Sequence, residues 1–323
     1  MPVINTRATR RILASYRSRM PRSLVTPAIV CAIALSWAGT WVVGKLAVAT
    51  VPPLELSAAR YVLASLALVA VMLALRTPIR VHGLGPIAVS AVFGYVLYNA
   101  FVFIGLTLAP ASDGALIVPT MTPVITAVLA TFVGERLTGR RVAGFALGSF
   151  GAALVILAGA ASEAFSTTRL FGDLLMLAGA ASWSIYTTLG LITLRDRSPF
   201  EVVALATPIG ALILLPLGLL ERSYVDVPTW SAGIWLDVAY LGVVVTAVSF
   251  PLFYWVVRRV GAGPAALTTY LVPVLTLVLA AVVLGERPAP LQLVGAAVIL
   301  AGVQLATSGA RVAARRTAPE AAT

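Results

Sequence analysis

The stretch Ser36-Trp37-Ala38-Gly39-Thr40-Trp41-Val42-Val43-Gly44-Lys45 lies inside an apolar run over about residues 27–49. A run of this length is enough to cross a bilayer as one helix. Residues four apart share a helix face, so Trp37, Trp41 and Lys45 form one stripe. Tryptophan usually prefers the membrane interface, whereas Trp37 falls near the middle of the run. An aromatic, partly charged stripe at this depth predicts a cavity between helices and indicates transport.

Composition identifies the class of protein. The chain has 323 residues, 60% of them hydrophobic and 11% charged, and its mean hydropathy is +0.99. Soluble domains have about 25% charged residues, so we expect an all-helical polytopic membrane protein surrounded by the lipid bilayer. The net charge of +11 comes from arginines in short loops, which favours a role in topology and not nucleic-acid binding. The single cysteine, Cys31, excludes an intrachain disulfide. We expect no metal and no cofactor.

Ten apolar runs follow one another, separated by short polar breaks. They predict ten transmembrane helices over residues 27–49, 54–75, 84–107, 111–133, 139–160, 171–194, 199–220, 230–258, 264–284 and 289–309. The basic segment 1–26 has no early apolar core with a cleavage site, so it predicts a cytoplasmic tail and not a signal peptide. Residues 310–323 predict a second tail.

The arginines test this order of helices. With the N-terminus inside, eighteen arginines fall on the cytoplasmic side, and only Arg169, Arg222 and Arg287 fall outside. This asymmetry follows the positive-inside rule. It predicts a protein of the bacterial inner membrane with both termini in the cytoplasm.

Two halves of the chain repeat one pattern. Pro53-Leu-Glu55 recurs 146 residues later as Pro199-Phe-Glu201, and Gly134-Glu-Arg136 recurs 151 residues later as Gly285-Glu-Arg287. The repeats cover residues 27–160 and 171–309. Each has five predicted helices, an odd number, so the second repeat must be inverted relative to the first. Inverted repeats are typical of secondary transporters, which bind substrate near the midplane between the repeats.

A ten-helix chain with this doubled proline and Gly-Glu-Arg pattern resembles the drug/metabolite transporter superfamily, in its EamA-type branch, over about residues 27–309. Within that branch it is similar to bacterial exporters of aromatic and other amino acids. The resemblance implies a central cavity lined by helices 1–4 and 6–9, with helices 5 and 10 at the periphery.

Aromatic and amide side chains on the inner helices are the candidate substrate-binding groups. Packing of aromatic rings in the bundle core is the alternative for each residue taken singly, but buried indole N–H and phenol O–H groups need partners. Asn99, an amide at mid-membrane depth, is the strongest candidate. The predicted lining residues are Trp37, Trp41, Lys45, Tyr98, Asn99, Trp183, Tyr186, Tyr254 and Tyr270.

Two cations inside apolar runs have competing interpretations. Lys45 lies a few residues from the outer end of its helix, where its ammonium can snorkel to the surface, and Arg60 is a similar case. If both face inward, they make the outer half of the cavity electropositive, which suits a carboxylate.

Prolines within two equivalent helices are candidate hinges. Pro119 and Pro123 lie in the fourth predicted helix and Pro273 in the ninth. Each removes a backbone hydrogen bond, which gives either a static kink or a gating point. Glu135 and Glu286 each precede an arginine at a helix end, and are predicted as local pairs or caps.

These features favour a secondary transporter that exports amino acids, aromatic or otherwise apolar, and related small metabolites by alternating access. An organic-phosphate or nucleotide-sugar antiporter of the same fold is the alternative, and a non-transport membrane scaffold is a third possibility. No nucleophile–base pair or P-loop is present, so we expect no enzyme activity. The predicted partners are a small amino-acid-like substrate and the bilayer, with the chain as a monomer or homodimer.

Overall fold

The computed structural model of the chain describes residues 22–74, 76, 83–132, 139–162, 166–193, 197–221, 224, 226–260 and 267–316. Helices make up nearly all of this described part, which contains no strand. The predicted all-helical class is confirmed. Residues 1–21 and 317–323, which belong to the two predicted tails, lie outside the described residues.

The long helical segments coincide with the predicted apolar runs. In chain order they are α1 (Arg22–Val48), α2 (Pro53–Ala74), α3 (Leu84–Leu108), α4 (Ala111–Phe132), α5 (Gly139–Ser162), α6 (Thr167–Thr193), α7 (Pro199–Glu221), α8 (232–260), α9 (267–284) and α10 (Pro290–Arg316), with a short 3-10 turn at Val227–Thr229.

Apolar side chains cover much of the outside of the bundle. Leu73 is 69% exposed, Leu220 81% and Val282 79%. Large aliphatic groups on so much of the surface are typical of contact with lipid chains. By length and composition, five spans are suited to crossing a membrane: Ala28–Val48, Pro53–Ala74, Leu84–Leu108, Pro199–Glu221 and Ala232–Phe253.

Two helices contain π-helical turns near their middle. These turns are Val92–Leu97 in α3 and Tyr240–Ser249 in α8, whereas a third, Ala280–Leu284, lies at the end of α9. In the first of them, the Tyr98 N–H donates to the carbonyl of Phe93, five residues back. π-Turns of this kind are frequent at functional sites. Both mid-helix turns end directly before residues that line the central cavity described below.

Several of the main helix pairings follow one rule. α4 packs on α6 and α9 on α1, α3 packs on α6 and α8 on α1, and α3 packs on α7 and α8 on α2. Exchanging the first five helices for the last five converts each pair into its counterpart. The pairs α2–α7, α4–α9 and α5–α10 map onto themselves.

Glycines allow α5 and α10 to touch backbone to backbone. A Cβ on Gly302 would lie 2.5 Å from the nitrogen of Gly148 and 2.6 Å from the oxygen of Gly144. A Cβ on Gly151 would lie 2.8 Å from the oxygen of Gly295. Small residues at helix contacts permit this close approach in membrane bundles. The paired α5 and α10 contribute no described residue to the cavity.

Candidate functional site

A central cavity lies between α1, α2, α3, α4, α6, α8 and α9. The empty volume of the cavity, with the open space at its mouth included, is about 780 Å³. α7 packs against α2 instead and supplies no lining residue in the described part of the chain. The lining residues are Trp37, Thr40, Trp41, Arg60, Tyr98, Asn99, Val102, Phe103, Leu106, Val118, Pro119, Thr122, Trp183, Val245, Phe250 and Val272.

Aromatic rings in edge and tilted contacts form one wall of this cavity. The Phe250 ring centroid lies 6.2 Å from that of Trp37 and 5.3 Å from that of Trp183. Trp183 in turn lies 4.9 Å from Tyr98 and 5.0 Å from Tyr186. Such contacts stabilise the wall beyond the burial of its area. The predicted residues Trp37, Tyr98 and Trp183 thus meet in one cluster, which also includes Phe250.

Asn99 lines the cavity, and the orientation of its amide is fixed by hydrogen bonds. Its Nδ2 donates to the Tyr61 hydroxyl at 2.6 Å and to the Tyr95 carbonyl at 2.8 Å. Because a carbonyl only accepts, these contacts fix which end of the amide is the nitrogen. Asn99 is fully buried, and its Oδ1 accepts no hydrogen bond from any residue that the structure describes. The site therefore contains a preoriented acceptor without a partner in the described part of the chain.

Trp37 supplies a donor of the same kind. Its Nε1 is buried and finds no acceptor among the described residues. The ring is held by Phe250 and by Phe253, whose centroid lies 4.9 Å away. A buried indole N–H ordinarily has a partner, so this N–H also suits a ligand.

Arg60 brings a charge to the wall. It is 2% exposed, and its Nη2 donates to the Tyr61 hydroxyl at 3.3 Å and to Thr246 Oγ1 at 3.2 Å. Its Cζ lies 4.6 Å from the centroid of the Tyr61 ring and 5.3 Å from that of Phe103. Its Nε is buried without an acceptor, and no carboxylate in the described part of the chain forms an ion pair with it.

Lys45 lies beside the cavity and not in its wall. Its ammonium donates to the carbonyl oxygens of Leu106 at 2.6 Å and Ala109 at 2.8 Å. These carbonyls end α3, where a cation is electrostatically favourable. In this structure Lys45 therefore anchors the end of α3, and its contact with substrate stays a prediction.

The remaining predicted residues are distributed around this site. Trp41 and Pro119 line the cavity. Tyr186 lies behind the aromatic wall, on a smaller cavity of about 260 Å³ that Trp37, Trp183 and Phe250 also line. The side chains of Tyr254, Tyr270 and Pro123 lie outside the described part of the chain. Pro273 lies within α9, one residue after the lining residue Val272.

Phe250, Tyr61 and Arg60 lie in or behind the wall and are among the groups that were not predicted as site residues. Phe250 and Tyr61 carry no sequence signal that separates them from packing residues. Arg60 does carry one, because it is a charge two turns into an apolar helix. Its interpretation stayed open because the sequence alone does not show whether a carboxylate lies within reach.

Polar contacts join the two halves of the chain at the end of the bundle near Lys45. The Arg169 guanidinium donates to the Asp113 carboxylate at 2.8 and 3.1 Å, and Gln292 Nε2 donates to the same carboxylate at 2.7 Å. These bonds connect the start of α4 with the starts of α6 and α10. We call this group, together with Glu286 and Lys45, the Lys45-end contacts.

Glu286 completes the Lys45-end contacts. It lies in the turn between α9 and α10, and its two carboxylate oxygens accept the N–H groups of Ala111 at 2.9 Å and Ser112 at 3.0 Å. These N–H groups begin α4, where a carboxylate is the preferred cap. The predicted capping role of Glu286 is therefore observed, but the helix that it caps belongs to the other half of the chain.

Comparison with known proteins identifies relatives over most of the chain. It is 33% identical over 254 residues to a protein of Streptantibioticus cattleyicolor named "probable terminal-alkyne amino-acid exporter", covering 77% of this chain and 82% of that one. It is 31% identical over 239 residues to the "aromatic amino acid exporter YddG" of Ancylobacter novellus, with 72% and 77% covered. An "uncharacterized transporter" of Archaeoglobus fulgidus is 28% identical over 276 residues, with 85% and 94% covered.

A solved structure and a family profile extend these similarities. The fold matches a structure titled "Crystal structure of protein" with a TM-score of 0.64 and 25% identity, covering 92% of this chain and all of the other. The profile of the EamA-like transporter family matches residues 26–157 and 170–308. The chain therefore belongs to the EamA-like transporter family, within the drug/metabolite transporters, and is a membrane transporter.

Proposed function

We propose that this protein exports apolar amino acids, aromatic or otherwise, across the bacterial inner membrane by alternating access. One observation carries the proposal: the aromatic cavity contains a buried donor, Trp37 Nε1, and a buried acceptor, Asn99 Oδ1, that the described residues leave without partners. Apolar walls with a few convergent polar groups suit a small ligand that has an apolar body and a polar end. Two relatives named as amino-acid exporters support the same substrate class.

The architecture we propose is ten membrane-crossing helices in two inverted repeats, residues 27–160 and 171–309, with both termini in the cytoplasm. The exchange rule of the helix pairings supports it. So do the equivalent places of the two π-helical turns, 148 residues apart at their first residues. A reporter fused after Thr323 should read cytoplasmic and one near Arg222 external; a cytoplasmic reading at Arg222 contradicts the inversion.

Alternating access requires one end of the cavity to be closed while the other opens. The Lys45-end contacts join the two halves, so we propose that they hold this end closed and break in each cycle. Pro119, Pro123 and Pro273 are the proposed hinges, because each leaves a helix without one backbone hydrogen bond. The substrate is the only small-molecule partner that this scheme needs, and it is compatible with a monomer or a homodimer.

The two carbonyl contacts of Lys45 make an organic phosphate or a nucleotide sugar a less favourable substrate. Lys45 is engaged by carbonyl oxygens, so Arg60 is the only cation among the described lining residues. A phosphate dianion typically recruits several basic groups. One guanidinium matches a single negative charge.

Exchange in proteoliposomes tests the proposed function. Purified protein is reconstituted with unlabelled L-phenylalanine inside, and entry of labelled L-phenylalanine is measured with and without excess external competitors. We expect exchange that apolar amino acids inhibit and that hexose phosphates and UDP-sugars do not. If the phosphates exchange instead, the result supports the antiporter. If neither class exchanges, the result contradicts both proposed functions.

A further inference from the structure

Arg60 differs in its partners from two other buried charges of the bundle, Asp113 and Glu201. Asp113 has Arg169 and Gln292 as partners, and Glu201 has Arg197 at 2.8 Å. Arg60, in contrast, has no carboxylate partner in the part of the chain that the structure describes. A buried charge without a counter-charge is costly, and within a membrane bundle such a residue ordinarily marks a substrate path.

The neutral neighbours of Arg60 position its guanidinium without neutralising it. Two hydroxyl groups accept from Nη2, and two aromatic rings face the charge. Rings and hydroxyls solvate a cation in part, but the positive charge remains. The Nε–H also remains, buried and without an acceptor.

One hydroxyl group bridges the Arg60 guanidinium and the Asn99 amide. The Tyr61 oxygen accepts from Asn99 Nδ2 at 2.6 Å and from Arg60 Nη2 at 3.3 Å. Arg60 Nη2 and Asn99 Nδ2 therefore share a single acceptor oxygen, which places the guanidinium and the amide side by side. An α-amino acid carries its carboxylate and its ammonium group on the same carbon, so it needs an anion site and an acceptor at similarly short spacing.

We propose that the carboxylate of the transported amino acid is the counter-charge of Arg60, and that its α-ammonium donates to Asn99 Oδ1. This inference rests on the proposed function and adds to it the class of substrate that the site selects, a zwitterion with an apolar side chain. Arg60 is then the group that distinguishes an amino acid from its amide or its amine.

The test compares an acid with its amide in the exchange assay. Inhibition of labelled L-phenylalanine exchange by unlabelled L-phenylalanine and by L-phenylalaninamide is measured at about pH 6.5, where both carry an ammonium group. The proteins are the wild type, Arg60→Met, Arg60→Lys and the control Arg76→Gln, which removes an exposed arginine just beyond the same helix.

We expect the wild type and Arg76→Gln to prefer the acid by roughly ten- to hundredfold, the range for a hydrogen bond to a charged group. Arg60→Lys should keep part of this preference. Arg60→Met should bring the ratio close to one, chiefly by weakening inhibition by the acid. An acid preference that persists in Arg60→Met overturns the inference while leaving amino-acid export intact. A wild type that exchanges no amino acid overturns the proposed function itself.

Thermal stabilisation of the purified wild type gives a second readout that needs no folded variant. L-Phenylalanine should raise the melting temperature more than the amide does, and chloride at the same concentration should not reproduce the effect. If chloride stabilises as strongly as L-phenylalanine and competes with it, the counter-charge of Arg60 is an inorganic anion and the inference is wrong.

Discussion

Asn99 donates a 2.6 Å hydrogen bond to the hydroxyl of Tyr61, and this bond leaves the amide oxygen as the end without a partner among the described residues. The π-helical turn before Asn99 contributes to the same geometry, because Asn99 Nδ2 also bonds the Tyr95 carbonyl within that turn. Local backbone geometry and a side chain from α2 thus fix one polar group of the site.

Asn99→Leu and Tyr61→Phe should separate binding from orientation. The leucine removes the acceptor, so we expect the KM for apolar amino acids to rise about tenfold, together with a loss of stability of about 1–3 kcal/mol from unpartnered neighbours. The phenylalanine leaves the Asn99 acceptor in place, so its KM should rise less. Steady-state exchange and thermal unfolding measure the two effects. Equal KM values in Asn99→Leu and wild type would show that Asn99 is structural.

Trp37→Phe tests the indole donor. The substitution keeps an aromatic ring against Phe250 and Phe253 but removes an N–H that bonds no described residue. We expect apparent substrate affinity to fall about two- to tenfold with little change in melting temperature. Trp235→Phe, at a tryptophan that is 43% exposed, is the matched control and should resemble the wild type. Loss of folding without loss of affinity assigns Trp37 to packing.

Lys45→Met should act through α3 and not through substrate charge. The ammonium holds the carbonyls of Leu106 and Ala109, so its loss should lower the melting temperature. Transport of amino acids and inhibition by their amides should suffer equally, because no substrate carboxylate meets this residue. A defect confined to the acids would indicate that Lys45 contacts the substrate carboxylate. The acid-to-amide ratio and the melting temperature are measured on the same preparation.

Weakening the Lys45-end contacts should open that end of the cavity. Gln292→Leu removes the donor to Asp113. Glu286→Gln replaces one of the two carboxylate oxygens that cap α4 by an amide nitrogen, which cannot accept a hydrogen bond. We expect a cysteine at Leu106 to react faster with a membrane-impermeant maleimide in both variants, in a Cys31→Ser background. Ser231→Ala is the control, since the Ser231 hydroxyl accepts from the Ile234 N–H at the start of α8, within its own half of the chain. Faster labelling in the control as well as in both variants indicates general loosening.

The sequence predicted the helices well because long apolar runs between short polar breaks leave few alternatives. It did not predict the π-helical turns, since a one-residue change of register leaves the apolar pattern almost unaltered. The sequence predicted Trp37, Tyr98, Asn99 and Trp183 as lining residues, and the structure places all four on one cavity.

The charged residues were less predictable for a different reason. Whether Lys45 and Arg60 serve a ligand depends on which backbone and side-chain groups lie across from them, and those groups come from distant parts of the chain. Leu106 lies 61 residues from Lys45, and Thr246 lies 186 residues from Arg60. A single helix stripe contains no information on such contacts.

Protection of a cavity cysteine by substrate tests most directly whether this cavity binds the transported amino acid. Val118→Cys places a thiol in the cavity wall, and Arg76→Cys places one at an exposed position outside it, both in a Cys31→Ser background. With exchange first shown to be intact in both, the rate of modification by a small methanethiosulfonate reagent is measured with and without L-phenylalanine. We predict that L-phenylalanine slows modification severalfold at residue 118 and leaves residue 76 unchanged. Equal rates at residue 118 with and without a transported substrate would contradict the assignment of this cavity as the binding site.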